Sequence, residues 1–139
     1  MSFEEKSTWI YLVVALVVPA VYFTNVLGQL QDTPATEIAY VRPMITAIVI
    51  AIVASIAAHI VVAVASPKDA DKRDERDRSI NRFGEYVGGL VLAVGAVGVL
   101  ALTMAELEHF WIANALYAAF VLQGITSSTV KLVAYRRGM

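Results

Sequence analysis

Four long apolar stretches constrain the fold of this chain more than any other feature. They cover about residues 9–27, 44–65, 86–105 and 110–135, and each reaches the roughly 20 residues that an α-helix needs to cross a bilayer. Valine and isoleucine are frequent in them, but an unclosed β-strand in lipid would leave its backbone groups unpaired. The sequence therefore predicts an all-α integral membrane protein, a single four-transmembrane-helix bundle.

The composition supports this prediction and excludes several kinds of chemistry. Of 139 residues, 58% are hydrophobic and only 17% are charged, whereas about a quarter of a soluble domain is charged. Glu4 and Glu5 precede the first stretch, which is atypical of a signal peptide, so we expect a retained helix. The net charge of −1 gives no electrostatic reason to expect a nucleic acid partner. With no cysteine and two histidines, we expect neither a metal nor a cofactor.

The basic residues near the helix ends predict the orientation, because they concentrate on the cytoplasmic side of a membrane. Ten of the eleven lie on one side of the predicted bundle, and Arg42 alone lies on the other. The ten are Lys6, Lys68, Lys72, Arg73, Arg76, Arg78, Arg82, Lys131, Arg136 and Arg137. We therefore expect both termini and the charged connector 66–85 in the cytoplasm. The second outer loop, 106–109, is so short that helices 3 and 4 must form an antiparallel hairpin.

The charged connector carries six basic and five acidic residues between Lys68 and Arg82. This balance makes it a poor polybasic lipid anchor, and Ser66 followed by Pro67 is typical of a helix start. A solvated helical connector explains the pattern, and a docking surface for a cytoplasmic protein is the functional alternative. A carboxylate metal site is less well supported, because neighbouring arginines compete for every acid. The docking candidates are Asp74, Glu75, Arg76 and Asp77.

These four residues, followed by Ile80 and Gly84 and a glycine-rich span, resemble an element of known proteins. It is similar to the DER(D/E) element that follows the second span in small multi-pass prokaryotic membrane proteins grouped as a domain-of-unknown-function family. The opening residues Glu4 to Lys6 before Trp9 are also similar to such proteins. The resemblance implies a prokaryotic plasma-membrane protein and carries no activity with it.

Helix 3 carries a stripe of glycines. At about 100° per residue, its four members fall within a sector of about 80°, and such stripes let two helices approach closely. They are Gly84, Gly88, Gly95 and Gly98. The stripe is explained either by packing within the chain, against helix 4 or the alanines of helix 2, or by self-association into a homo-oligomer.

His59 and Gln123 are polar residues at similar predicted depth inside the spans, with Ser127 one turn further along helix 4. Polar side chains at such depth face protein or water, and they are functional candidates by default. A structural hydrogen bond between His59 and Gln123 would explain them. A proton-relay or ligand role for His59 is the alternative, because its charge can change near neutral pH.

Two further groups lie toward the outer side. Glu106 and His109 have the spacing found in carboxylate-bridged dimetal sites, but one chain supplies a single such pair, and exposure to water explains both residues. Four polar side chains at comparable depth in helices 1 and 4 indicate either a polar vestibule or ordinary interface residues. They are Tyr22, Asn25, Asn114 and Tyr117.

The motifs leave two classes of function. No serine–histidine–acid arrangement, phosphate loop or nucleotide fingerprint is present, so we do not expect an enzyme. The first class is a non-catalytic accessory, anchoring or interaction subunit that uses the glycine stripe and the connector to bind a membrane or cytoplasmic protein. The second is a small oligomeric transporter or channel that uses His59 and Gln123.

Overall fold

In the computed structural model, which describes residues 2–68 and 75–138, the chain forms four long helices. They are α1 (Phe3–Gly28), α2 (Val41–Ala65), α3 (Glu75–Met104) and α4 (His109–Arg137), and two short 3₁₀ turns lie between α1 and α2. No strand occurs in the described ranges. All four helices are long and apolar enough to cross a membrane, which confirms the predicted helical class.

The helices extend beyond the apolar stretches because polar residues near their ends also favour helix. The N-terminus of α1 is an example, since the Ser2 side chain accepts a hydrogen bond from the Glu5 backbone N–H at 3.1 Å. This is an N-terminal cap, and the acidic side chains of Glu4 and Glu5 complement the positive end of the helix dipole. As a result α1 begins at Phe3, well before the predicted span.

Within the described residues, the connector is helical only in its second part, which belongs to α3. The Ser66 N–H donates to the Val62 carbonyl at 3.0 Å, so Ser66 ends α2 instead of beginning a connector helix. Residues 69–74 lie outside the described residues. From Glu75 onward the connector belongs to α3, and Ile80 is buried against the rest of the chain with 1% of its surface exposed.

The helices pack in the order α2, α1, α4, α3, so that α1 and α4 are central and α2 and α3 flank them. Burial agrees with this order. In the most apolar window of each helix, 22% of the α4 residues are buried, against 6% in α2 and in α3. The exposed residues in these windows of α2 and α3 are mainly apolar, which is the surface expected of helices that face lipid.

The two central helices run antiparallel. The Arg136 guanidinium lies 5.6 Å from the ring centre of Trp9, and far along both helices the Tyr22 hydroxyl donates to Asn114 Oδ1 at 2.6 Å. The first and last helical residues therefore share one end of the bundle, here called the terminal end. The opposite end, formed by residues 29–40 and 105–108, is called the loop end.

The turn between α3 and α4 is a tight C-terminal cap. The Leu107 N–H donates to the Leu102 carbonyl at 3.3 Å, and the Glu106 N–H donates to the Thr103 carbonyl at 3.0 Å. This pair of bonds is a Schellman motif, in which the residue after the helix adopts a left-handed conformation usually taken by glycine. Here that residue is Glu106, with φ 56°, and α3 and α4 form the expected hairpin.

Candidate functional site

A cleft of about 520 Å³ lies between α2 and α3, with α1 and α4 as its floor. We call it the α2–α3 cleft. It lies in the half of the bundle nearest the terminal end and opens sideways, between the two flanking helices. Every helix contributes a polar side chain to it, among them Tyr11 from α1, Ser55 from α2, Asn81 from α3 and Gln123 from α4.

An ion pair between α3 and α4 is the charged part of the cleft. Lys131 Nζ lies 2.6 Å from Glu85 Oε1, and the Ser127 hydroxyl donates to the same oxygen at 3.0 Å. The lysine side chain is 14% exposed and the glutamate side chain is 53% exposed. Hydrogen bonds with a charged partner are stronger than neutral ones, so this group fixes α3 against α4 while leaving the carboxylate accessible from the cleft.

The glycine stripe makes room for this group. A β-carbon at Gly84 would lie 2.5 Å from Lys131 Cγ, and one at Gly88 would lie 3.0 Å from Ser127 Cβ. Both glycines are buried. The lysine stem and the serine therefore occupy the space that side chains at positions 84 and 88 would need.

The remaining glycines of the stripe differ from each other. A β-carbon at Gly95 would lie 2.7 Å from Ala119 Cβ, whereas nothing lies within 4 Å of one at Gly98. Three of the four glycines thus lie where α3 and α4 approach most closely. The alanines of α2, considered above as a partner of this stripe, belong to a helix that packs chiefly on α1.

The structure does not bring His59 and Gln123 together. A hydrogen bond of 3.4 Å joins His59 Nδ1 to Ser7 Oγ, and the Phe3 ring lies edge-on to the imidazole with centres 5.0 Å apart. His59 is therefore a contact between α1 and α2 near the terminal end, and it is not among the residues that line the cleft. Gln123 lines the cleft beside Gly88.

Several polar groups of the cleft have no partner within the described part of the chain. The side chains of Tyr11, Ser55, Asn81 and Gln123 make no hydrogen bond to any residue in 2–68 or 75–138. Tyr11 and Asn81 are exposed, and Asn81 belongs to the connector, whereas Ser55 and Gln123 lie within the apolar stretches and are partly buried. Polar side chains inside such stretches are costly in a membrane unless they face protein or water. The cleft is consequently a place where additional hydrogen-bonding groups would be stabilised.

The polar residues of helices 1 and 4 near the loop end are engaged with each other instead. Tyr22 and Asn114 form the 2.6 Å bond described above, and Asn114 Nδ2 also donates to the Phe110 carbonyl at 2.8 Å. The Tyr22 ring packs against Tyr117, with centres 4.9 Å apart, while Asn25 is exposed. This arrangement is a satisfied structural cluster.

Glu106 and His109 do not share a helix face. Glu106 lies in the Schellman turn, His109 begins α4, and both side chains are exposed. Within residues 2–68 and 75–138, no three side chains of the metal-binding types come close enough to hold a metal ion.

The connector residues with a proposed docking role have mixed environments. Asp77 is buried and accepts a hydrogen bond from the Tyr135 hydroxyl at 2.7 Å. Arg76 donates to the Tyr135 carbonyl at 2.9 Å and lies over the ring of the same residue. Glu75 is exposed, and Asp74 lies outside the described residues. Two of the four candidates thus fasten the start of α3 to the end of α4.

Sequence reasoning missed the ion pair of the cleft because it assigned Glu85 to the charged connector 66–85 and counted Lys131 only among the basic residues that predict the orientation. A signal was nevertheless present in helix 3. Asn81 and Glu85 are four residues apart, which places them on one helix face, and they flank Gly84 at the edge of the glycine stripe. That face adjoins the one that packs on α4, so both side chains reach the cleft.

Comparison of the chain with models of known protein families, with curated proteins and with solved structures finds no match. The resemblance of the connector to the DER(D/E) element therefore stays a prediction.

Proposed function

We propose that this chain is a non-catalytic membrane interaction subunit, which receives a transmembrane helix of another membrane protein in the α2–α3 cleft. The observation that carries the proposal is that Ser55 and Gln123, two partly buried polar residues within the apolar stretches, line a cleft open to the side and have no hydrogen-bond partner among the described residues. A partner helix enters such a cleft laterally and supplies the missing bonds. Interhelical hydrogen bonds of this kind stabilise helix association in membranes by about 1 kcal/mol each.

The charges of the cleft indicate the chemistry of the partner. Glu85 and Lys131 neutralise each other at 2.6 Å, so the cleft has no net charge to offer a charged helix. A neutral helix with serine, threonine, asparagine or glutamine on one face fits it. Burying a helix with an unpaired charge there would incur a desolvation cost without a compensating partner.

The transporter alternative receives less support. It requires His59 and Gln123 to line one path, but His59 bonds to Ser7 between α1 and α2. In the half nearest the loop end, the Tyr22–Asn114 pair and its aromatic neighbours fill the space between the central helices. Proteoliposome flux measured for wild type and for His59→Ala tests this alternative. A flux that the substitution abolishes would favour it.

The proposed orientation has the terminal end in the cytoplasm, because ten of the eleven basic residues belong to that side. We further propose a prokaryotic plasma membrane, on the basis of the resemblance in the connector. In this orientation the cleft lies in the cytoplasmic half of the bilayer. The exposed Glu75 at the start of α3 is then available to a cytoplasmic part of the same partner.

Site-specific photo-crosslinking in native membranes tests the function. A photo-reactive residue at position 55 faces the cleft, and one at position 57 is the matched control, because Ala57 is exposed on the opposite side of α2. We expect position 55, and not position 57, to crosslink to a transmembrane peptide of one defined protein. Mass spectrometry of the crosslinked peptide identifies the segment.

The same crosslink should disappear when the cleft is filled. Ala51 lines the cleft, so Ala51→Phe should abolish the crosslink from position 55, whereas Ala57→Phe should leave it unchanged. Only lipid adducts at position 55, or equal protein adducts at both positions, would overturn the proposal. Thermal unfolding in detergent verifies that each variant remains folded.

A further inference from the structure

A second concavity lies at the other end of the bundle from the cleft, on the surface between α1 and α2. It has a volume of about 450 Å³ and is lined mainly by apolar side chains, including those of Val17, Val21 and Ile50. Those three are each half-exposed or more, while Ala47 at its base is buried. We call it the α1–α2 groove. Its apolar lining extends along α1 and α2, and a long apolar groove between two helices suits an acyl chain.

Arg42 lies at the mouth of this groove. It is the one lysine or arginine on the loop-end side of the sequence. Four carboxylates, those of Asp32, Glu37, Glu106 and Glu108, belong to the same end. Arg42 nevertheless has no ion pair or hydrogen bond with any residue of the described ranges, so its guanidinium is available to an external anion.

The start of α2 reinforces the attraction for an anion. Tyr40 is the N-cap residue and makes no side-chain capping bond, and the first turn contains no acidic side chain. Pro43 has no N–H, and the Met44 N–H donates to the Tyr40 carbonyl at 2.9 Å. The N–H groups of Val41 and Arg42, together with the positive end of the helix dipole, therefore favour a phosphate at this position. Arginine also binds phosphate oxygens in a two-pronged geometry that lysine does not match.

None of these four carboxylates lines the groove, so they bear on the choice of headgroup through the charge of the loop end as a whole. With one arginine and four carboxylates, the described loop end has an excess of negative charge. A headgroup with a net negative charge is repelled by that excess, whereas a headgroup with a phosphate and an ammonium satisfies both signs. We propose that the α1–α2 groove binds an amine-bearing zwitterionic phospholipid, with its phosphate on Arg42 and one acyl chain along Val17 and Val21.

Native mass spectrometry of delipidated protein tests this proposal directly. The probe is an equal mixture of phosphatidylethanolamine and phosphatidylglycerol with identical acyl chains. We expect wild type to retain phosphatidylethanolamine in preference to phosphatidylglycerol. Arg42→Gln should lower that retention about tenfold, the effect of one charge-assisted bond, and Arg42→Lys should restore part of it.

A groove-filling variant separates this site from nonspecific lipid contact. Val21→Trp places a large ring in the groove and should reduce retention of both lipids. Val13→Trp, an equally exposed position on α1 that does not line the groove, should behave as wild type. Retention that is unaffected by Arg42→Gln, a preference for phosphatidylglycerol, or equal effects of the two tryptophan variants would overturn the proposal.

Discussion

The aliphatic stem of Lys131 packs directly on Gly84, so that a β-carbon at position 84 would lie 2.5 Å from Lys131 Cγ. This contact positions the ammonium group on Glu85. The glycine stripe and the polar cleft are therefore parts of one arrangement. The absence of a side chain on α3 creates the space in which a charged residue of α4 extends to its partner.

Gly84→Ala should destabilise the fold through this contact. The added methyl group meets the lysine stem and also lies 3.0 Å from the Ser127 carbonyl, so Lys131 must move away from Glu85. We expect a loss of about 1–2 kcal/mol in the free energy of unfolding, the value of a partly exposed charge-assisted bond. Denaturant unfolding in detergent measures it. Gly89→Ala is the matched control, because a β-carbon there meets nothing within 4 Å.

Removing Lys131 alone should lower the free energy of unfolding more than removing both charges of the Lys131–Glu85 ion pair. Lys131→Met leaves Glu85 without its cation, whereas the double variant Lys131→Met with Glu85→Gln leaves no unpaired charge. We expect the double variant to unfold at a higher denaturant concentration than Lys131→Met alone. If the changes in the free energy of unfolding caused by Lys131→Met and by Glu85→Gln simply add in the double variant, the ion pair makes no coupled contribution to stability.

Gly95 and Gly98 provide a second matched comparison. Gly95→Leu forces α3 away from Ala119, and overpacking of this kind costs about 1–3 kcal/mol. Gly98→Leu enters open space and should leave the stability of the single chain nearly unchanged. Unfolding of the two variants in detergent distinguishes these results. An oligomer that dissociates with Gly98→Leu would indicate that the open end of the stripe contacts a second copy.

Tyr22→Phe should weaken the contact between the central helices. The substitution removes the 2.6 Å hydrogen bond to the buried Asn114 and leaves its oxygen unsatisfied. A hydrogen bond within a membrane helix bundle contributes about 1 kcal/mol, and we expect a loss of that size. Tyr40→Phe is the control, since the Tyr40 hydroxyl has no bond to the described residues. Equal unfolding midpoints for both variants would contradict the assigned role of Tyr22.

Glu106→Gly should stabilise the protein. Glu106 has φ 56° in the Schellman turn, a conformation that glycine adopts without the strain of a β-carbon. We expect a gain of about 1 kcal/mol. Glu106→Ala removes the same charge but keeps a β-carbon at φ 56°, so it should not stabilise. A gain shared by both variants would point to the lost charge instead of the backbone.

The helices were predictable because each apolar stretch is long enough to span a membrane. Such a stretch favours a helix in lipid whichever helices it packs against. A helical connector was expected, but its continuity with α3 and its packing were not, because a charged sequence gives no sign that Ile80 packs against the chain. The antiparallel hairpin of α3 and α4 followed from the short turn. The separation of α2 from α3 did not, because alanines and glycines indicate close packing without specifying which helices meet.

The candidate site was predictable only in part. Gln123 and Ser127 were identified because polar side chains are rare inside spans, and both line the cleft. The partner of His59 was wrongly expected to be Gln123, because depth along a helix does not determine the face on which a side chain lies. Its actual partner, Ser7, belongs to the polar start of α1, which the apolar pattern excluded from the first span.

The central claim is that four helices cross a membrane with both termini on the same side. The chain has no cysteine, so Glu75→Cys and Leu107→Cys each introduce a single thiol, at exposed positions of the terminal end and the loop end. With an impermeant maleimide on intact cells, we expect Leu107→Cys to be labelled and Glu75→Cys to react only after permeabilisation. Labelling of both thiols from the same side would contradict the account.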